Sequence, residues 1–217
     1  MNKKDLIKKA NQESADGKNL TSLKEEKKIL AEFEKNLDIP NKKPEKKIIL
    51  CPVGLVGAGK TTVLKPLSKK LGLIRISGDE LRMILKKYGY NFIKTEELSK
   101  KIIFKYLKKD YSIAADFDCI SHKKVFSDIA KEYNAKIFWI HINPPEAFII
   151  KKLKNIHNLK HDHPKLFKNA EVGLSDYFRR KPLHAKINFP FIYVFNTSKN
   201  NLKEQIEEAY QKIKNKI

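Results

Sequence analysis

From residue 47 onward, short apolar runs alternate with longer amphipathic stretches. The apolar runs predict strands, which we place at residues 47–53, 73–77, 112–116, 136–142 and 191–195. The stretches between them predict helices at about 60–71, 79–88, 95–109, 121–132, 145–156 and 200–216. Strands that alternate with helices form parallel sheets covered by helices on both faces. The pattern therefore predicts an α/β fold, a three-layer sandwich around a parallel sheet of about five strands.

The first 45 residues precede this pattern and predict a helical extension. A polar break at residues 11–19 separates a short Lys-rich helix from a second helix, which starts at Thr21 or Ser22 and runs to about residue 37. The apolar positions that fall on or beside one face of this second helix are Leu23, Ile29, Leu30, Phe33 and Leu37. Because an apolar stripe is normally buried against a neighbour, we expect the helix to pack on the main domain, residues 46–217.

A phosphate-binding motif lies between the first predicted strand and the helix that follows it. The sequence Gly54-Leu55-Val56-Gly57-Ala58-Gly59-Lys60-Thr61 matches G-x-x-x-x-G-K-[ST]. Glycines let successive backbone N–H groups turn toward phosphate oxygens, and the N-terminus of the following helix adds positive charge. We expect Lys60 to reach the β and γ phosphates of ATP and the Thr61 hydroxyl to coordinate Mg²⁺. The predicted nucleotide-binding residues are Gly54, Leu55, Val56, Gly57, Ala58, Gly59, Lys60, Thr61 and Thr62.

Signatures of several other nucleotide-binding classes are missing after this loop. The guanine-reading pattern N-K-x-D occurs only at residues 2–5, which precede the loop, and no D-x-x-G follows it. The chain also lacks an Asp-Glu pair at the end of an apolar strand and a sequence such as LSGGQ. These absences argue against a GTPase and against an ABC or motor ATPase, and they favour phosphoryl transfer.

An acidic residue also follows the second predicted strand. Asp79 lies at the strand-to-helix junction, and Arg82 follows it by three residues. Together with the loop, this D-x-x-R element resembles P-loop kinases related to polynucleotide kinases, zeta toxins and gluconate or adenylylsulfate kinases, often labelled AAA-family ATP-binding domains. The resemblance covers residues 46–216 and implies the P-loop NTPase fold, with Asp79 as the base that activates an acceptor hydroxyl and Arg82 as the substrate anchor. The structural alternative is that Asp79 only caps the helix and Arg82 is a solvated charge.

The third predicted strand ends in two nearby carboxylates. The resemblance implies that an Asp at this point holds Mg²⁺ or orients the nucleophile. Because ligands in such sheets bind at the carboxyl ends of the strands, we place the metal ligand at Asp116 and keep Asp118 as the alternative. ATP and Mg²⁺ are therefore the expected cofactors. The acceptor remains open among sugars, nucleosides, polynucleotide 5′ ends and other small hydroxyl compounds.

The net charge of +21 is informative mainly through its placement. Only four of the 46 basic residues are Arg, and the chain is also rich in Ile and Asn. We therefore attribute most of the positive charge to a coding bias toward Lys. Residues 151–190, however, hold 10 basic and 3 acidic residues, a third of the net charge. The resemblance implies a phosphate-closing lid there, although its lid helix usually carries Arg where this chain has Lys. The candidate lid residues are Lys152, Lys154, Arg179 and Arg180.

Other features bear on location and on rival functions. Apolar runs of at most about six residues and a polar first 30 residues predict a cytoplasmic protein without a membrane partner. We expect Cys51 and Cys119 to be reduced core residues. Two alternatives to a kinase remain: a nucleic-acid-associated ATP-binding protein or ATPase that uses the basic charge, and a regulatory ATP-binding domain without kinase activity.

Overall fold

A five-stranded parallel sheet forms the centre of the computed structural model, which describes residues 16–155 and 170–217 together with Asp5 and Lys8. The strands are β1 (Ile48–Val53), β2 (Ile74–Ser77), β3 (Ile113–Asp116), β4 (Lys136–Ile142) and β5 (Phe191–Phe195). They lie in the order β2-β3-β1-β4-β5, and each pair is parallel. The predicted sheet is confirmed, with each strand within one residue of its predicted bounds.

Helices cover both faces of the sheet. The described helices are α1 (Leu23–Lys35), α2 (Lys60–Leu71), α3 (Gly78–Lys87), α4 (Thr95–Lys108), α5 (Lys123–Glu132), α6 (Glu146–Lys154), α7 (Ala170–His184) and α8 (Leu202–Lys214). Ile49 and Cys51 on β1 face one hydrophobic cluster with α1, α3, α4 and α5, whereas Leu50 faces another with α2, α6, α7 and α8. This alternation confirms the predicted three-layer sandwich. None of these helices combines the length and apolar character needed to cross a membrane.

The register of the sheet decides where a site can form. Ser77 at the end of β2 pairs with Asp116 at the end of β3, and Val53 at the end of β1 pairs with His141 near the end of β4. Because the strands are parallel, their carboxyl ends lie along one edge of the sheet. The residues that follow β1, β2 and β3 in the sequence therefore meet at that edge.

Helix α7 was not predicted from the sequence. Gly173 and Pro182 both lie within it and are residues that usually interrupt a helix, which obscured the helical pattern. Its buried Tyr177 nevertheless lies in the hydrophobic cluster that contains residues of α6 and of the sheet. The remainder of the predicted lid, residues 156–169, lies outside the described residues, as does nearly all of the short helix predicted before residue 11.

Helix α1 packs on the main domain, as its apolar pattern predicted. Ile29 and Phe33 are buried in the same cluster as α3 and α4. Leu23 is a correction, because it is 73% exposed although it was predicted to share this face. Periodicity indicates which side of a helix is apolar but not how far the neighbouring surface extends along its axis, and Leu23, in the first turn, lies outside the contact.

Ion pairs add to the attachment of α1. Glu26 Oε1 lies 2.5 Å from Lys101 Nζ, and Glu34 Oε2 lies 2.7 Å from Lys105 Nζ, both on α4. Glu32 Oε1 lies 2.8 Å from Lys87 Nζ on α3. The extension therefore contacts the two helices that follow β2. A domain boundary at residues 45 and 46 remains a prediction.

We predict that Phe33→Ala lowers the free energy of unfolding by about 3–5 kcal/mol, because it leaves a cavity beneath α1. Leu23→Ala in the same helix should change it by no more than about 0.5 kcal/mol, because Leu23 is largely solvent-exposed. Urea unfolding of the full-length chain measures both values. Equal losses for the two variants would contradict this packing of α1.

Candidate active site

The phosphate-binding motif forms a turn between β1 and α2. Gly57 and Gly59 have φ values of +79° and +94°, a conformation that strains other residues. Gly59 immediately precedes α2, and the first turn of that helix has neither a side-chain cap nor an acidic residue. The N–H groups of this turn are therefore available to an anion.

Neighbouring segments pack closely on the loop. A Cβ atom on Gly54 would lie 2.7 Å from the carbonyl oxygen of Ile142, so the chain can turn here only without a side chain. Thr197, which follows β5, donates a hydrogen bond of 2.7 Å to the carbonyl oxygen of Ala58. Sequence reasoning missed Thr197, since no motif marks it. The loop is thus held between the ends of β4 and β5.

Lys60 lies across the loop, and a second lysine faces it. The Nζ atom of Lys60 donates to the carbonyl oxygens of Gly54 (2.8 Å) and Leu55 (3.1 Å). Burial, and then the positive charge of Lys60, lower the pKa of Lys152 on α6. Lys154, the other candidate on this helix, is exposed. Of the two lysines, Lys152 is therefore the one that can meet a phosphate on the loop.

Asp116 lies beside Thr61, and an arginine orients it. Thr61 Oγ1 donates to Asp116 Oδ1 (3.1 Å), and Arg75 Nη1 donates to Asp116 Oδ2 (2.5 Å). The other end of the Arg75 guanidinium donates to Glu80. Burial raises the pKa of Asp116, although the charge and hydrogen bond of Arg75 oppose this shift. Sequence reasoning missed Arg75, whose only signal was being one of four arginines in a Lys-rich chain.

The Thr61 and Asp116 oxygens suit Mg²⁺. Hydroxyl and carboxylate oxygens are among its preferred ligands, and Mg²⁺ commonly takes its remaining ligands from water and substrate phosphates. Within residues 16–155 and 170–217, no group of three or more His, Cys, Asp or Glu side chains is placed to hold a metal by itself. The donor set fits an ion that is shared between the protein and a bound phosphate.

Asp118 has different partners from Asp116. Its Oδ1 accepts a hydrogen bond from the Gly54 amide (3.3 Å), and its Oδ2 lies 2.9 Å from His184 Nε2. Burial raises the pKa of Asp118, but the hydrogen bond from His184 and the charge of Lys60 outweigh burial and lower it. Asp118 therefore connects the phosphate loop to the end of α7. This arrangement favours Asp116 as the metal ligand, a choice that remains a prediction.

Arg179 and Arg180 on α7 differ in their exposure and in whether they line the cavity. Both bind Asp176, with Arg180 Nε at 3.1 Å from its Oδ1, and Arg180 Nη1 also lies 3.7 Å from Asp118 Oδ2. Arg180 lines the cavity that contains Lys60 and Thr61. Arg179 is exposed and is not among the residues that line it. Of the four predicted lid residues, Arg180 alone lines this cavity. Lys152 is partly buried and near enough to Lys60 for that charge to contribute to its lowered pKa, whereas Lys154 and Arg179 are exposed.

Asp79 and Arg82 lie in the same cavity, which has a volume of about 200 Å³. Ser77 caps helix α3, since its side chain accepts a hydrogen bond from the Glu80 amide (3.3 Å). Asp79 is therefore not the cap, and its carboxylate accepts a hydrogen bond from Arg82 Nη1 (2.6 Å). The structure thus brings the predicted base and substrate anchor together with the phosphate loop and Asp116.

The far end of the cavity was not predicted. Its walls come from α4, from the segment after β3 and from α5, namely Thr95, Glu96, Ser99, Lys100, Phe117, His122, Val125, Phe126 and Ile129. These residues form no motif, because they lie on amphipathic helices whose sequence resembles that of any packed surface helix. Only the tertiary structure brings them to the site.

Known structures share this fold at low sequence identity. The chain is similar to the Mycobacterium tuberculosis APS kinase in complex with AMPPNP and APS (14% identity, 78% of this chain and 99% of that chain, TM-score 0.52). It is also similar to a structure from the Streptococcus pneumoniae PezAT toxin–antitoxin system (15% identity, 90% and 97%, TM-score 0.52). No family model and no curated protein matches the sequence. The comparisons confirm the predicted α/β P-loop NTPase fold.

The ion pairs of Asp176 predict a pH-dependent contribution to stability. Burial raises the pKa of Asp176, but Arg180 and Arg179 lower it below its ordinary value of 3.8. A folded-state pKa below the unfolded value stabilises the protein above about pH 3.8, and this stabilisation is lost as the pH falls through the folded-state pKa. Asp176→Asn should therefore lower the free energy of unfolding by about 1–3 kcal/mol at pH 7 and by progressively less below pH 3.8.

Urea unfolding from pH 7 to pH 3 measures this difference. The control is Asp128→Asn, which removes an exposed ion pair with Lys124 on α5 and should cost less at every pH. A difference between the wild type and Asp176→Asn that stays constant with pH would show that the carboxylate charge is not responsible.

Proposed function

We propose that this protein is an ATP- and Mg²⁺-dependent kinase that transfers the γ-phosphoryl group of ATP to a hydroxyl of an acceptor. One observation carries the proposal: a single cavity contains the phosphate loop, the Thr61–Asp116 pair and Asp79. A nucleotide site alone would need only the first two of these. The third feature is the Asp79 carboxylate, which Arg82 positions and which can accept the proton of an acceptor hydroxyl.

Phosphate binding falls to the loop and to two cations. The uncapped N–H groups of α2 and the glycine-rich turn hold the β- and γ-phosphate oxygens. Lys60 exchanges its hydrogen bonds with the loop carbonyls for the phosphates, and Lys152 faces Lys60 from α6. The mutual repulsion of these two ammonium groups is relieved when a polyanion lies between them.

Thr61 and Asp116 are the residues that would hold Mg²⁺. The ion, when bound, supplies positive charge that neutralises the phosphate oxygens. Arg75 occupies Oδ2 of Asp116 and so leaves Oδ1 directed toward Thr61. Arg75 is therefore a positioning residue in this proposal.

Asp79 receives the proton of the acceptor hydroxyl. The acceptor oxygen forms a bond to the γ-phosphorus, the bond from that phosphorus to the ADP oxygen breaks, and the hydroxyl proton passes to the Asp79 carboxylate. Arg82 donates to Asp79 Oδ1 and holds the carboxylate toward the cavity. Arg180 also lines the cavity, where its side chain limits the access of water to the γ-phosphate.

We expect γ-labelled ATP to label at least one compound in a panel of sugars, nucleosides, oligonucleotides with a 5′ hydroxyl and other small alcohols. Lys60→Ala should abolish labelling, because the loop loses its charge at the γ-phosphate. Asp79→Asn should lower kcat by about 100-fold or more while ATP affinity is kept, because it removes only the base. The matched control, Asp128→Asn, changes a surface carboxylate and should leave transfer unchanged.

The outcomes separate the kinase from its rivals. ATP binding without label in any acceptor would favour a regulatory ATP-binding domain. Labelling that survives Lys60→Ala, or that is unaffected by Asp79→Asn, would remove the proposed role of that residue. Oligonucleotide binding that weakens steeply with salt, without labelling of the oligonucleotide, would favour the nucleic-acid-associated ATPase.

Two of the three lysines of α6, Lys152 and Lys154, provide an internal comparison. Lys152→Ala should weaken ATP binding by about 10-fold, because it removes a cation that faces Lys60 and the loop. Lys154→Ala should change the ATP dissociation constant by less than about twofold, since this side chain is exposed. Isothermal titration calorimetry with ATP measures both constants. Equal effects of the two variants would argue for a general charge effect rather than a contact.

A further inference from the structure

The far end of the cavity is half apolar and half charged. We call Glu96, Lys100, Phe117, His122, Phe126 and Ile129 the acceptor end. The rings of Phe117 and Phe126 pack with centroids 6.0 Å apart, and the His122 ring contacts both. Because these rings support one another, they form a prearranged apolar wall. Glu96 and Lys100 of α4 also line this end of the cavity.

The cations beside this wall are already matched by carboxylates. Lys100 Nζ lies 2.7 Å from Glu96 Oε1, and Glu96 is also 3.3 Å from His122 Nε2. Arg82 is bound to Asp79, as described above. In the described part of the chain, the charged residues that line the whole cavity are the cations Lys60, Arg82, Lys100 and Arg180 and the carboxylates Asp79, Glu96, Asp116, Asp118 and Asp176.

This balance has a consequence for the acceptor. Among the described residues, Lys60 is assigned to the ATP phosphates, and Arg180 is held by Asp176 and lies near Asp118. A carboxylate or phosphate on the acceptor would therefore have to take Lys100 or Arg82 from its present partner. That exchange leaves Glu96 or Asp79 unpaired beside the new anion, and like charges at such distances repel strongly in a partly buried site. An uncharged acceptor avoids this cost and can use the same side chains as hydrogen-bond partners.

We propose that the acceptor is a small uncharged hydroxyl compound with an apolar face or ring, which lies on the Phe117–Phe126 wall while its hydroxyl reaches Asp79. This inference rests on the proposed kinase function. The size of the cavity, about 200 Å³, supports a small acceptor, because sites for drug-sized ligands occupy about 300–1,000 Å³. The rings would contribute binding through burial of the apolar face of the acceptor.

Matched pairs of acceptors test the proposal. Both members of each pair have at least one free hydroxyl, and in one member an anionic group replaces another hydroxyl or is attached to it: thymidine and thymidine 3′-monophosphate, benzenedimethanol and hydroxymethylbenzoate, and glucose and glucuronate. The measurement is kcat/KM for transfer from γ-labelled ATP. In the thymidine and benzenedimethanol pairs, we expect the kcat/KM of the uncharged member to exceed that of its anionic partner by about 10-fold or more, which corresponds to about 1.4 kcal/mol.

Two adjacent glutamates on α4 supply the matched variants. Glu96→Gln frees Lys100 and His122, and it should raise the ratio of anionic to uncharged kcat/KM by about 10-fold. Glu97→Gln removes an exposed pair with Lys101, outside the cavity, and should leave the ratio unchanged. The unfolding midpoints of both variants establish that any difference is not due to lost stability.

The failures of the two proposals are distinguishable. Labelled product that depends on Lys60 but favours the anionic members would overturn the uncharged acceptor and leave the kinase intact. The same holds if the three pairs give no product while another, anionic compound is labelled, or if Glu96→Gln and Glu97→Gln give the same ratio. If no compound is labelled, the kinase proposal itself fails and the acceptor proposal falls with it.

Discussion

The site depends on the buried carboxylate of Asp118. This side chain accepts a hydrogen bond from the first glycine of the phosphate loop and faces His184 at the end of α7, so it fixes the loop to an element more than 60 residues away in the sequence. A buried carboxylate without partners is costly, and the surrounding donors lower its pKa instead. The position of the loop and the position of α7 are consequently set by the same group.

The same principle extends across the site, where most charged groups come as opposed pairs or triads. Arg75 lies between Asp116 and Glu80, Asp176 lies between Arg179 and Arg180, and Asp79 holds Arg82. In the part of the chain that the structure describes, Lys60 and Lys152 lie outside these pairs. Burial, and then the charge of Lys60, lower the pKa of Lys152, and Lys60 begins the uncapped helix α2. Free positive charge is thus concentrated where a polyphosphate would lie, in a chain whose overall charge of +21 gives no such information.

Helix α1 connects the N-terminal extension to this arrangement. It packs on α3 and α4, which carry Asp79, Arg82, Glu96 and Lys100, and it does so through both apolar contacts and ion pairs. The extension therefore supports, from behind, the two helices that line the acceptor side of the cavity. The N-terminal extension carries no motif of its own, but it supports α3 and α4, which line the cavity.

The sequence by itself determined the parallel sheet, its strand bounds and the phosphate loop, because alternating apolar runs and a glycine-rich turn are local patterns with local physical causes. It also indicated Asp116, the last residue of a predicted strand, and Asp79 and Arg82, which lie in the helix after another. Only the tertiary structure decided that Ser77 rather than Asp79 caps α3, that Lys152 rather than Lys154 faces Lys60, and that Arg75, His184 and Thr197 belong to the site. These assignments depend on which face of a helix meets which strand end, and packing between distant segments sets that choice.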